Sequence, residues 1–109
     1  MAIKTYLSCG SVVFAFLVSL ALYGCGAPAG SPEDGVRWYT MHNCSSCHGL
    51  HGNDGRAVDI AGVDMRFGSF VRTLRRTDAP IMPHFPESKI SKQDAADMYA
   101  YLKSVKNGN

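Results

Sequence analysis

Charge is nearly missing from the first third of this 109-residue chain, where Lys4 is the only Asp, Glu, Lys or Arg before Glu33. The whole chain also lacks a strong excess of either sign: eleven Lys and Arg stand against nine Asp and Glu, for a formal net charge of +2. Such a balance excludes the basic footprint of a nucleic-acid binder. No stretch shows the apolar alternation of a strand over a useful length, so an all-helical domain is expected. No internal repeat is visible. At this length the chain holds one small domain with a marginal core, and such domains commonly need a staple: a disulfide, a metal or a cofactor.

The uncharged start has the form of an export signal. Residues 11–22 (SVVFAFLVSLAL) make a short apolar run of signal-core length. Directly behind it, "LYGC" ending at Cys25 resembles the bacterial lipobox, which implies cleavage before Cys25 and a lipid on that cysteine. The competing reading is an uncleaved transmembrane helix, because the uncharged residues 5–31 are long enough to cross a bilayer core of about 30 Å. Both readings tie the rest of the chain to a membrane, outside the cytoplasm. Cys9 lies inside the signal and is given no role. The expected organisation is a signal peptide over residues 1–24, a lipidated N-terminus and tether over 25–32, and a folded domain over 33–109. Residues 26–32 (GAPAGSP) are small, uncharged and rich in Gly and Pro, as suits a tether.

Three helices are expected beyond the tether. The first runs from Pro32 or Glu33 to about His42, with Ser31 as N-cap, Pro32 at the first helical position, and Glu33 and Asp34 facing the positive end of the helix dipole. The second lies near residues 69–76. The third follows Ser91, with Asp94 in capping-box position, and runs to about Lys106. Along it Met98, Tyr101, Leu102 and Val105 share one apolar face. The intervening loops are long for so small a domain, and loops of that kind usually wrap around something.

The residues that ask for chemistry are "NCSSCHG", 43–49. Cys44, Cys47 and His48 form C-x-x-C-H, the attachment pattern of a c-type haem. One turn of chain sets two thiols where they can add to the two vinyl groups of one porphyrin, and His48 then supplies the proximal nitrogen to iron. A thioredoxin-type redox pair needs a βαβ context that is missing. A zinc site would crowd Cys44, Cys47, His48 and His51 into eight residues, whereas tetrahedral sites usually draw on two separated segments. A plain disulfide leaves His48 unexplained.

At this point the chain resembles the monohaem, class I cytochrome c family over most of residues 33–106. The matching pieces are "GVRWY" (35–39), "CSSCHG" (44–49), "IMPHF" (81–85) and "MYAYLKS" (98–104). The resemblance implies a small cytochrome c-like domain of three to four helices around one covalent haem c and its iron, with crossing first and last helices and an axial methionine in the loop before the last. Gly35 and Tyr39 would meet Tyr101 and Leu102 at that crossing; Trp38 is left as core or surface. Two departures stand out. Tyr39 precedes Cys44 by five residues where the family usually has four, which suggests a one-residue adjustment at the helix end. Val58 stands where the family commonly has a proline whose carbonyl accepts a hydrogen bond from the haem histidine; a backbone carbonyl at Val58 can do the same.

Position narrows the sixth iron ligand. Met1 is in the signal, Met41 is too near the attachment site, and Met98 sits on the apolar stripe of the last helix. Met65 and Met82 remain, and Met82, braced by Pro80, Pro83 and Pro86, is the expected ligand. His84 and His51 are fallbacks. His/Met ligation favours ferrous iron and fills the sixth site.

The function implied is electron transfer by a membrane-anchored carrier facing the periplasm or cell exterior, between redox partner proteins, with no nucleic acid and no small substrate of its own. A fixed subunit of a larger redox complex is a variant. A haem enzyme or gas sensor with an open sixth site is the alternative, and a structural lipoprotein with a disulfide a third. Arg72, Arg75 and Arg76 fall at i, i+3 and i+4 on the second expected helix. They read as a solvated face, as a steering patch for an acidic partner or anionic lipid, or as a counter-charge to a haem propionate.

Overall fold

The computed structural model describes residues 27–105; the expected signal segment over 1–24, Cys25 and residues 106–109 lie outside the described residues. Among the described residues the chain forms four helices and no strand: α1 Pro32–Met41, α2 Ser45–His48, α3 Phe67–Arg76 and α4 Lys92–Ser104. None of these is long and apolar enough to cross a membrane. The all-α expectation holds, and the short α2 is the one helix that periodicity missed.

Local chemistry sets the helix ends. Ser31 caps α1, its Oγ accepting from the Asp34 N–H at 3.2 Å, with Pro32 in the first turn where a missing N–H has no consequence. Asp34 also pairs with Arg37 one turn on. At α4 the capping box is complete: the Asp94 N–H donates to Ser91 Oγ at 3.1 Å and the Ser91 N–H to Asp94 Oδ2 at 2.9 Å. The helix stops at Ser104, short of the expected Lys106.

Packing centres on the crossing of α1 with α4. Gly35 makes it possible, because a Cβ there would fall inside the Asp97 carbonyl and against the Tyr101 Cβ. Beside it Tyr39 and Tyr101 meet edge to face, centroids 5.6 Å apart. Met98, Tyr101 and Leu102 are buried as their spacing predicts, and α3 adds Phe70 and Leu74 to the same cluster.

One buried carboxylate lies in this crossing. Asp97, 7% exposed, accepts from the Ser31 N–H at 2.9 Å, the Trp38 indole N–H at 3.3 Å and the Gln93 amide at 3.1 Å. Three donors offset the cost of taking the group out of water. They also dock the segment ahead of α1: Gln93 donates to the Ala29 carbonyl at 2.7 Å, and Gly30 sits tightly on Ala96. Of the residues expected to be tether, 29–31 are therefore held against α4.

Candidate haem centre

The C-terminal end of α1 delivers Cys44. The Asn43 N–H donates to the Thr40 carbonyl at 3.1 Å and the Cys44 N–H to the Tyr39 carbonyl at 3.1 Å, the paired bonds of a Schellman motif. Asn43 holds the left-handed position that motif needs, at φ 59°. This left-handed residue is the one-residue adjustment that the five-residue spacing from Tyr39 to Cys44 called for.

From Cys44 the chain makes one helical turn. The His48 N–H donates to the Cys44 carbonyl at 3.0 Å and the Gly49 N–H to the Ser45 carbonyl at 3.0 Å, so Cys44, Cys47 and His48 share a single turn. Both thiols are unbridged; Cys44 is half-buried at the edge of the core and Cys47 is exposed. Burial pushes the Cys44 thiol up to about 11.

The following loop then aims His48. The Ala57 N–H returns to the Cys47 carbonyl at 2.8 Å, which sets Val58 beside the histidine ring. His48 Nδ1 lies 2.9 Å from the Val58 carbonyl oxygen. A carbonyl can only accept, so Nδ1 carries the proton and Nε2 keeps its lone pair. Further along, the carboxylate of Asp54 takes the His51 backbone N–H at 3.0 Å and reaches His51 Nδ1 at 3.3 Å. These bonds, the backbone one foremost, hold the Asp54 carboxyl below its usual range.

Met82 lies on the loop after α3, half-buried against the core cluster whose edge Cys44 also touches. The other candidate ligands have their own places in the fold. His84 Nε2 donates to the Thr77 carbonyl at 3.0 Å, and His51 is turned to Asp54. Met98 is 1% exposed in the core, and Met65, 41% exposed, lends its carbonyl to the Tyr99 hydroxyl at 2.8 Å.

These residues fit a haem. A turn with two free thiols, an imidazole with Nε2 available, and a loop thioether make the donor set of a c-type centre. Ile81, next to Met82 in the chain, is 88% exposed, an apolar side chain that suits the apolar edge of a porphyrin. Cys25 lies outside the described residues and the structure does not place it.

An all-α domain with crossing terminal helices and such a donor set is a monohaem class I c-type cytochrome. The chain belongs to the family described as cytochrome C oxidase, cbb3-type, subunit III, whose model it matches over residues 30–102. It has no match among curated proteins or among solved structures. Membership gives it a covalent haem c with its iron, and haem-based electron transfer as its chemistry.

Sequence spacing groups Arg75 with Arg72 and Arg76, but its Nη1 donates to the Phe85 carbonyl at 2.9 Å, so the three do not form one solvated face. Asp97, the buried acceptor of the α1–α4 crossing, carries no signal in the sequence reading.

Proposed function

We propose that this chain is a membrane-anchored, single-haem electron carrier with His48 and Met82 on the iron. Cys44 and Cys47 hold the porphyrin as thioethers, and a lipid on Cys25, after removal of residues 1–24, keeps the exported domain at the periplasmic or outer face of a bacterial membrane. The observation that carries the reading is the bond from His48 Nδ1 to the Val58 carbonyl, which points the imidazole lone pair at Nε2 away from the chain's own hydrogen bonds. Bound haem supplies a one-electron ferrous/ferric couple. The protein's part is to fix the ligands and to shield the metal from water and gases. Met82, half-buried against the cluster that Cys44 also touches, supports this as a soft sixth ligand.

Partners on this reading are redox proteins in or on the same membrane. The family's description as an oxidase subunit supports a fixed place in a redox complex over a freely shuttling carrier. Co-purification with a large membrane enzyme that persists in high salt fits the fixed subunit; release by salt fits the carrier.

The visible spectrum tests the ligand set, recorded oxidised, reduced, and reduced under CO. A c-type spectrum with a weak red sulfur-to-iron band and no response to CO is expected. A CO shift without that band means an open sixth site and puts the enzyme or sensor reading first.

A further inference from the structure

We propose that Arg75 is a positioning residue for the sixth iron ligand, acting through the backbone of Phe85; this rests on Met82 being that ligand. Phe85 lies three residues past Met82, and α3 grips it by both of its backbone groups. Its N–H donates to the Leu74 carbonyl at 2.7 Å, and its carbonyl accepts from Arg75 Nη1 at 2.9 Å. Its ring is half-buried, meeting His42 edge to face at 5.9 Å.

The near end of the same loop is also tied to α3. His84 Nε2 donates to the carbonyl of Thr77, the residue that ends the helix, at 3.0 Å, and Thr77 Oγ1 accepts from the Ala79 N–H at 3.2 Å. Residues 77–85 thus form a strap with both feet on the C-terminal end of one helix. Pro80 and Pro83 remove two backbone freedoms between those feet. Of all these ties, only the one from Arg75 is a charge-assisted bond from a half-buried side chain, while Arg72 and Arg76 on the same helix are exposed.

A thioether is a weak iron ligand, so its occupancy depends on how few positions the loop can take. Without the Arg75 bond the Phe85 carbonyl loses its donor and the far foot of the strap is held by one backbone bond alone. Arg75 therefore sets the fraction of molecules with Met82 on iron, and the apparent affinity of an external ligand rises in proportion to the fraction without it.

The test uses the haem-loaded full-length protein with Arg75→Met, Arg75→Lys, Arg72→Met and Met82→Ala. Arg75→Met is expected to keep covalent haem, weaken the red sulfur-to-iron band, lower the reduction potential and raise ferrous CO affinity by about tenfold or more. Arg75→Lys, which can still donate to a carbonyl, should restore most of the band, and Arg72→Met should change nothing. Arg75→Leu, which also lacks a donor, replaces Arg75→Met if the latter does not fold. A lowered potential with the band and CO affinity intact would assign Arg75 a purely electrostatic role, such as pairing a propionate, and overturns the proposal. So does an unchanged Arg75→Met beside a Met82→Ala variant that has lost its band. If the parent itself shows no sulfur-to-iron band, the Met82 reading fails and this inference with it.

Discussion

Tyr39 on α1 and Tyr101 on α4 stack edge to face and send their hydroxyls to neighbouring carbonyls, Tyr39 to Gly49 at 2.8 Å and Tyr101 to Leu50 at 2.6 Å. Those carbonyls directly follow His48. The helix crossing and the placement of His48 are therefore one construction: the rings fill the crossing while the hydroxyls hold the chain that leaves the Cys44–His48 turn. Sequence spacing assigns both tyrosines to packing, and their hydrogen bonds add the second role.

Removing one hydroxyl separates the two roles. Tyr39→Phe keeps the ring and leaves the Gly49 carbonyl only the long bond from the Gly52 N–H at 3.4 Å, for an expected loss of about 1–2 kcal/mol in urea unfolding of the haem-loaded protein. The pH dependence has a definite sign. Burial raises both phenols above their ordinary 10.0, so their share of stability is complete below pH 10 and is lost as pH climbs toward the folded-state values. Tyr39→Phe should flatten the fall in stability above pH 10; an alkaline limb as steep as the parent's would show that other groups cause it.

At Gly35 two effects oppose each other. Alanine is the better helix former by about 0.5–1 kcal/mol, yet its Cβ meets the Asp97 carbonyl in a crossing that has no slack. Overpacking should win, giving a net loss of about 1–3 kcal/mol for Gly35→Ala, read by urea denaturation. A neutral or stabilising result would mean that α1 and α4 can move apart without loss.

Asn43 tests the link between helix end and haem motif. Its left-handed backbone suits asparagine and glycine and disfavours a β-branched side chain by about 1–2 kcal/mol. Asn43→Gly should preserve stability, whereas Asn43→Val should lower it and reduce the yield of covalent haem, since the Cys44 N–H is bonded within the same motif. Haem yield is read from the spectrum of the denatured protein, where only attached haem remains with the chain.

Local signals made α1, α4 and the attachment turn legible. A Ser-Pro-Glu-Asp start, a Ser91/Asp94 box and C-x-x-C-H each act within four or five residues, and each appears in the structure as expected. What stayed hidden acts across the fold. Two of the three donors to Asp97 come from Ser31 and Trp38, 66 and 59 residues away, and the third, Gln93 one turn back, does not by itself mark a buried acceptor. Arg75 shares helical spacing with Arg72 and Arg76, and only the path of the Met82 loop sets it apart. Residues 29–31 look like linker by composition because glycine and alanine also permit the close approach to α4 that they make.

Val58 offers the sharpest separation of side chain from backbone. The residue is 76% exposed, and its contribution to the centre is a carbonyl that every amino acid carries. Val58→Ala should leave the bond to His48 in place, so the reduction potential and the spectrum of the haem-loaded protein should match the parent. The proline common at this position in class I cytochromes also keeps the carbonyl, and its ring adds only a fixed φ. Val58→Pro should therefore slow loop opening, seen as greater protection of the Ala57 N–H in hydrogen exchange, with the potential unchanged. A shifted potential in Val58→Ala would show that the side chain itself tunes the iron, and the carbonyl would no longer suffice to explain how His48 is held.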